Sequence, residues 1–295
     1  MESSSSRGGG RGGRSRGARG GSRGEQGHEV ELSKALSKLL RHQASNAGIQ
    51  LDGEGYAPLD KVLLWGPIRT LSPSFEEIVS AVRDSDKQRF GLKPKNPSSL
   101  DEISSRADPS DWLIRANQGH SIKTVDSESL LKPISLSGEE EGSVPVPPTV
   151  VHGTYFAFWP LIVASGGLKP MGRNHVHCSV GLPEDAEAGV VSGMRNDAEV
   201  LVYVDVAVSI REGGMRWWMS ENGVVLTEGD ENGVVPTRFF KEVVGRKQGV
   251  GLLWKDGERV ADLPKGIRVR PPVGKGGRGG GRGGGRGGGG RGRGR

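Results

Sequence analysis

The chain has 295 residues, 33% of them hydrophobic, a net charge of +6 and a single cysteine, which is enough material for one large or two modest domains. One cysteine excludes an internal disulfide and fits a reducing compartment, and no apolar run reaches the length of a membrane-spanning helix. The basic start lacks a secretory hydrophobic segment, so an intracellular location is expected, in the nucleus and/or cytoplasm, with an organelle left open.

The net charge is unevenly placed. Residues 1–24 and 271–295 are Arg-Gly repeats that contribute +5 and +7, which leaves −6 on everything between them. Any anion held by the folded part therefore needs a local cluster of cations. The tails, assigned to residues 1–27 and 269–295, have almost no apolar residues and are expected to be disordered. Their composition suits salt-sensitive RNA contacts, or simply a solvated tail.

Between the tails the chain reads as an α+β protein of two lobes. In 28–135, "ELSKALSKLLRH" repeats leucines at helical spacing, "DGEGYAPLDKVLLW" gives a turn and a short helix, and "SPSFEEIVSAVRDSD" a third helix with acids in its first turn. "QRFGLKP" and "DWLIRANQGH" then read as strands joined by a polar loop, and three helices followed by a two-stranded wing is the order of a winged-helix lobe. An acidic, proline-containing linker, 136–148, leads to a lobe over 149–268. There "TVVHGT" reads as a strand and "YFAFWPLIVASGGL" as a helix closed by Gly-Gly. "HVHCSV", "AEVLVYVDVAV" and "GMRWWMSENGVVLTEG" read as strands of a mostly antiparallel sheet, the last turning at Asn222-Gly223.

Each candidate functional residue has an ordinary reading beside the chemical one. Arg41 and His42 close the first helix, where cations complement the helix dipole. In "WLIRANQGHS", Trp112, Ile114 and Ala116 share one strand face and Arg115 takes the other, so Arg115 either meets water or waits for an anion. Gln118 and His120 fall in the following turn, where a surface position suits the histidine. Arg195 precedes a buried-looking strand and could pair with Asp197 or Glu199. His152, Gly153 and Thr154 set an imidazole, a close backbone approach and a hydroxyl at a strand end, which suits a ligand with ribose hydroxyls and an amide. His175 and His177 share one strand face while Cys178 takes the other, so no metal site is assigned.

Taken together, "LSKALSKLLRH", "IRANQGHS", "VHGTYFAFWPLIVASGGLKPMGRNHVHCSV", "SGMRNDAEVLVYVDV" and "NGVVLTEG" stand in the order found in the RNA (tRNA) 2′-phosphotransferase family, which the chain resembles from about Glu31 to Phe240. The resemblance implies a winged-helix lobe joined to an ADP-ribosyltransferase-like lobe, NAD as co-substrate, and ligated tRNA with an internal 2′-phosphate as RNA partner, acted on by a monomer. It implies a two-step reaction. The RNA 2′-phosphate attacks the nicotinamide riboside carbon of NAD, and the adjacent ribose hydroxyl then attacks the phosphorus. The products are nicotinamide, ADP-ribose 1″,2″-cyclic phosphate and an RNA 2′-hydroxyl.

On the family pattern the catalytic positions are Arg41, His42, Arg115 and Arg195. Arg41 and Arg115 would hold the 2′-phosphate, Arg195 would stabilise transition-state charge, and His42 would orient phosphate or activate the hydroxyl. Guanidinium forks suit that work because they are permanently charged, paired donors. Gln118 and His120 would contact the RNA, and His152, Gly153, Thr154 and one of His175 and His177 the NAD. Two rivals use much of the same sequence: an ADP-ribosyltransferase that modifies nucleic-acid phosphate ends or a protein and stops after the first step, and an Arg-Gly RNA-binding protein with an inactive enzyme domain.

Overall fold

The structure, a computed structural model, describes residues 21–85, 87–96, 108–182 and 193–269. Most of both Arg-Gly tails, and with them the expectation of disorder, lies outside the described residues. The chain is an α+β protein whose sheets are mostly antiparallel, and its contacts divide it into two compact units. The first runs to Pro133 and takes in Met171–His175 and Trp218–Val224. The second comprises Ile134–Pro170, Val176–Trp217 and the chain from Val225 onward. Two short segments from beyond the acidic linker thus join the first unit, a non-local pairing that chain order conceals.

In the first unit, helix α1 spans Gly21–Lys38, so it starts inside the stretch assigned to the tail. Its winding then widens into a π-helical turn over Leu39–Gln43. One extra residue in that turn lets Leu39 and Leu40 both bury completely beside Leu32 and Leu36, and it sets Arg41 and His42 off the apolar stripe. Burying each of these leucines is worth roughly 2 kcal/mol.

Helices α2 (Leu59–Leu64) and α3 (Gly66–Leu71) follow, broken at Trp65 by an extended backbone with Pro67 starting the next helix; the second of these helices was not expected. Helix α4 (Phe75–Arg83) starts on a capping box, with Glu77 N donating to Ser74 Oγ at 3.1 Å and Ser74 N to Glu77 Oε2 at 2.8 Å.

The helices pack on a three-stranded sheet, β1 (Tyr56–Pro58), β2 (Phe90–Pro94) and β3 (Trp112–Ala116), with β3 in the centre. Only β2 and β3 were expected. The three-residue β1, closed by a proline, is too short to show a period. Trp112, Ile114 and Ala116 enter the core as the alternation requires, and Arg115 stands on the other face between Tyr56 and Gly91 in register.

The second unit is built on a five-stranded antiparallel sheet of β4 (Val151–Thr154), β6 (Val200–Val204), β8 (Phe240–Gly245), β9 (Gly251–Lys255) and β10 (Glu258–Arg259), in the order β10-β9-β8-β6-β4. Strand β5 (Val176–Cys178) pairs with β7 (Val225–Thr227), and a Val151–Ser179 bridge ties β4 to the end of β5. Helix α5 is shorter than expected, Trp159–Ala164.

The run "AEVLVYVDVAV" is not one strand. Asp205 accepts from Val208 N at 2.9 Å and so caps helix α6 (Val206–Gly213), ending β6 at Val204. The segment assigned to a linker contains Val144–Pro145, which pairs in parallel with Ile134–Ser135. Complete burial pushes the Cys178 thiol up to about 12, so it stays protonated and inert.

Candidate active site

The predicted residues fall into two groups, one in each unit. Arg41, His42, Arg115, Gln118, His120 and His175 lie in the first, and His152, Gly153, Thr154, His177 and Arg195 in the second. His175 was expected in the C-terminal lobe.

Arg41 is the centre of the first group. Its Nε and Nη2 are buried and meet no hydrogen-bond partner among the described residues. Burial, followed by the fields of Arg173 and Arg89, lowers its pKa to about 10. The three arginines thus put a local concentration of positive charge around Arg41, in a part of the chain whose net charge is negative. Burying the Arg41 guanidinium in that field costs free energy, which a bound anion would offset.

The turn after β3 packs against this guanidinium. Gly119 has φ +87°, which the turn requires and glycine adopts freely, and a Cβ placed there would stand 3.4 Å from Arg41 Nη1, in contact with the guanidinium. Ser121 N donates to the Arg41 carbonyl at 2.9 Å, and Ser121 Oγ pairs with His42 Nδ1 at 2.9 Å. Burial, then Arg173 and Arg41, lower the pKa of His42 and hold it neutral, the state needed to accept a proton.

His120 is not a surface residue. It is 3% exposed, with Nε2 buried and unpartnered, and burial together with Arg41, His175, His42 and Arg115 holds it at about 3. Its carbonyl accepts from Asn174 N at 2.8 Å, and Asn174 Nδ2 donates to the Ile122 carbonyl at 3.1 Å, which draws residues 171–175 into this unit. Gln118 is likewise buried. His175 is fixed by Ser127, whose Oγ lies 2.8 Å from Nε2, and by an edge contact with Trp218.

Arg115 is no wet-face arginine either, since its side chain is 12% exposed. It lies over the Tyr56 ring, 4.6 Å from the centroid, and beside Gly91, where a Cβ would stand 3.4 Å from Nε. Nη2 pairs with Glu221 at 2.9 Å, and Nη1 reaches the Glu54 carbonyl at 3.4 Å and its carboxylate at 3.8 Å.

In the second group His152 Nδ1 lies 2.8 Å from the His177 carbonyl. A carbonyl only accepts, so Nδ1 carries the proton and Nε2 of the neutral ring is an acceptor. The close approach permitted by Gly153 is made by the protein itself, because a Cβ there would meet Met194 Cγ at 2.4 Å and Ala198 at 2.9 Å. Thr154 is buried, and its carbonyl accepts from Glu199 N at 2.8 Å.

Arg195 is exposed and does not pair directly with Asp197 or Glu199. Its Nη1 donates to the Tyr155 hydroxyl at 3.1 Å, which donates to Asp197 Oδ1 at 2.8 Å, while Glu199 accepts from Phe156 N at 3.0 Å. The Tyr155 bond raises the pKa of Arg195. Among the described residues no group of three or more His, Cys, Asp or Glu is placed to hold a metal ion.

Sequence reasoning missed Arg89, Arg173, Glu221 and Tyr155. Arg173 stood inside a motif used for its histidines, Gly153 and Thr154, and a search for further guanidiniums in the same motifs would have found it.

The model of the family described as RNA 2′-phosphotransferase, Tpt1/KptA, matches residues 27–229. A zebrafish protein named tRNA 2′-phosphotransferase 1 is 39% identical over 235 residues, covering 80% of this chain and 91% of its own. The cattle protein of the same name is 38% identical over 220 residues, covering 75% and 77%. The tRNA 2′-phosphotransferase of Saccharomyces cerevisiae is 33% identical over 217 residues, covering 73% and 84%.

Proposed function

The chain belongs to the RNA 2′-phosphotransferase, Tpt1/KptA family, and we propose that it removes the splice-junction 2′-phosphate from ligated tRNA by transferring it to NAD. The products are an RNA 2′-hydroxyl, nicotinamide and ADP-ribose 1″,2″-cyclic phosphate. The observation that carries this reading is Arg41, a guanidinium with buried, unpartnered Nε and Nη2 in the field of Arg89 and Arg173. A phosphate dianion suits that field and accepts from the fork.

On this reading the first unit, helices packed on a three-stranded sheet, is the winged-helix, RNA-binding lobe, and the second, with its five-stranded antiparallel sheet, the ADP-ribosyltransferase-like lobe. Arg41 and Arg115 hold the 2′-phosphate. Neutral His42, steadied by Ser121, takes a proton from the attacking hydroxyl or orients the phosphate. Gln118 and His120 form the buried wall behind it.

The residues of the second unit fit NAD in their donor chemistry. His152 presents an acceptor nitrogen to a ribose hydroxyl, with the ring angle fixed by the His177 carbonyl. Thr154 and His177 complete that wall, and Gly153 keeps the strand flat against Met194. When bound, NAD supplies an electrophilic riboside carbon and a nicotinamide leaving group. Arg195, held by Tyr155, stabilises the charge that builds on the phosphoryl oxygens.

The test supplies NAD and an oligonucleotide with one internal 2′-phosphate. Formation of the 2′-hydroxyl with nicotinamide and the cyclic phosphate, abolished in Arg41→Ala, is the expected result. Nicotinamide release without the 2′-hydroxyl would favour a transferase that stops after one step, and no NAD turnover an inactive domain.

A further inference from the structure

Arg195 is exposed and its guanidinium is held through the Tyr155 hydroxyl, so its aim depends on the loop that carries it. That loop, 195–198, is closed by Ala198 N donating to the Arg195 carbonyl at 3.2 Å. It lies where the pairing of β6 with β8 runs out. The last register pair is Val200 with Gly245, and one more backbone bond follows, from Arg246 N to the Glu199 carbonyl at 2.8 Å. Side chains then continue the ladder. Arg246 Nη1 donates to the Asn196 carbonyl at 3.0 Å, and Lys247 Nζ donates to the Asp197 carbonyl at 3.1 Å.

Both cations sit in the turn between β8 and β9, which is itself fixed. Gly245 brings the two strands together, since a Cβ there would collide with the Val250 side chain. Gln248 ties the turn to the chain on its other side, its Nε2 donating to the Arg268 carbonyl at 3.0 Å and its Oε1 accepting from Arg268 N at 2.9 Å. The contacts toward Arg195 form a series. Lys247 holds the Asp197 backbone, the Asp197 carboxylate accepts from the Tyr155 hydroxyl at 2.8 Å, and that hydroxyl accepts from Arg195 Nη1 at 3.1 Å.

We propose that Lys247 and Arg246 are positioning residues for Arg195: by holding the carbonyls of the two residues that follow it, they fix where its guanidinium is presented. The inference rests on the reading of Arg195 as the group that stabilises phosphoryl charge in the later chemistry.

A group already in place stabilises developing charge without reorganising, whereas one on a loose loop must be ordered first. One hydrogen bond shifts a local opening equilibrium by about five-fold, so each latch is large enough to be measured. Two extra cations beside Arg195 would also attract an anion. That effect acts on binding and is screened by salt, while positioning acts on the rate at any ionic strength.

The experiment uses the full chain as wild type, Lys247→Met, Lys247→Arg, Arg246→Met, Arg195→Ala and the double variant of Lys247→Met with Arg195→Ala. One measurement is hydrogen exchange at the Ala198 amide. The other is the rate at which the ADP-ribosylated oligonucleotide left by Arg195→Ala is converted to the RNA 2′-hydroxyl, at low and high salt. In Lys247→Met and in Arg246→Met, exchange should be about five-fold faster and conversion about five-fold slower at both salt concentrations. Lys247→Arg, which keeps a charged donor, should stay within about two-fold of the wild type. Adding Lys247→Met to Arg195→Ala should slow conversion no further, because the lysine acts through the arginine. Unchanged exchange or unchanged conversion in the two methionine variants overturns the proposal. So does a rate effect that disappears at high salt, or one that persists in full when Arg195 is absent. If Arg195→Ala leaves no ADP-ribosylated oligonucleotide behind, the underlying reading of Arg195 fails instead.

Discussion

The Tyr155 hydroxyl stands between Arg195 and Asp197, accepting from Arg195 Nη1 at 3.1 Å and donating to Asp197 Oδ1 at 2.8 Å. A direct ion pair would tie the guanidinium to one carboxylate, whereas the phenol holds it by a single bond and leaves its other donors to a substrate. Burial raises the Tyr155 pKa, so the hydroxyl keeps its proton at neutral pH and the relay keeps its direction. Tyr155→Phe should therefore cost little stability, because Arg195 is exposed, yet slow turnover by about five-fold, the equivalent of one hydrogen bond. It should share a signature with Arg195→Ala, in which nicotinamide release is slowed less than formation of the RNA 2′-hydroxyl. Equal slowing of the two products in both variants would remove Arg195 from the later chemistry.

What the sequence disclosed follows from how local the signal was. The alternation in "WLIRA" put Trp112, Ile114 and Ala116 inside and Arg115 opposite, and β3 obeys it. What encloses Arg115 comes from Tyr56, Gly91 and Glu221, and no period within the strand reports residues so distant in sequence. The same holds for His120, which a turn composition assigns to the surface but which is buried, with its carbonyl bonded to Asn174 N and its ring in the field of Arg41. Asp205 is a different case. Its capping role was written in the sequence, but the apolar residues on both sides of it read more strongly as a single strand.

Arg41 should be a burden on stability that is kept for function. Arg41→Met retains the buried stem and removes an uncompensated charge, so it should stabilise the fold by about 1 kcal/mol or more. It should also abolish turnover. The linked measurement is thermal denaturation with and without inorganic phosphate. Phosphate should raise the Tm of the wild type by mass action and leave that of Arg41→Met unmoved. A variant less stable than the wild type, or equally stabilised by phosphate, would show that Arg41 is balanced by some other group.

Gly119 should resist even the smallest substitution. Its φ of +87° is unfavourable for an L-residue, and the new methyl would lie in contact with Arg41 Nη1 at 3.4 Å. Gly119→Ala should cost about 1–2 kcal/mol in urea denaturation. It should also raise KM for the 2′-phosphorylated oligonucleotide, because a turn that shifts to relieve its φ carries the surface packed on the Arg41 guanidinium with it. A stability loss with KM unchanged would mean that the turn needs the glycine but the phosphate site does not.

The pH dependence of stability follows from His120. Its folded pKa is depressed from 6.5 to about 3, chiefly by burial and then by Arg41, so the unfolded chain takes up a proton that the native state refuses. Above about pH 6.5 neither state binds that proton and the histidine contributes no slope. As the pH falls from there toward about 3, the residue should remove up to roughly 1.4 kcal/mol per pH unit. His42, whose pKa is also lowered by burial and then by Arg173 and Arg41, acts in the same direction. It remains present in His120→Asn, so the difference between the two proteins isolates His120. Urea midpoints taken between about pH 7 and pH 5 should fall less steeply for His120→Asn than for the wild type, whatever constant offset the substitution introduces. Parallel curves would show that His120 is protonated in the folded protein, and a charged imidazole would then have to be counted among the cations around Arg41.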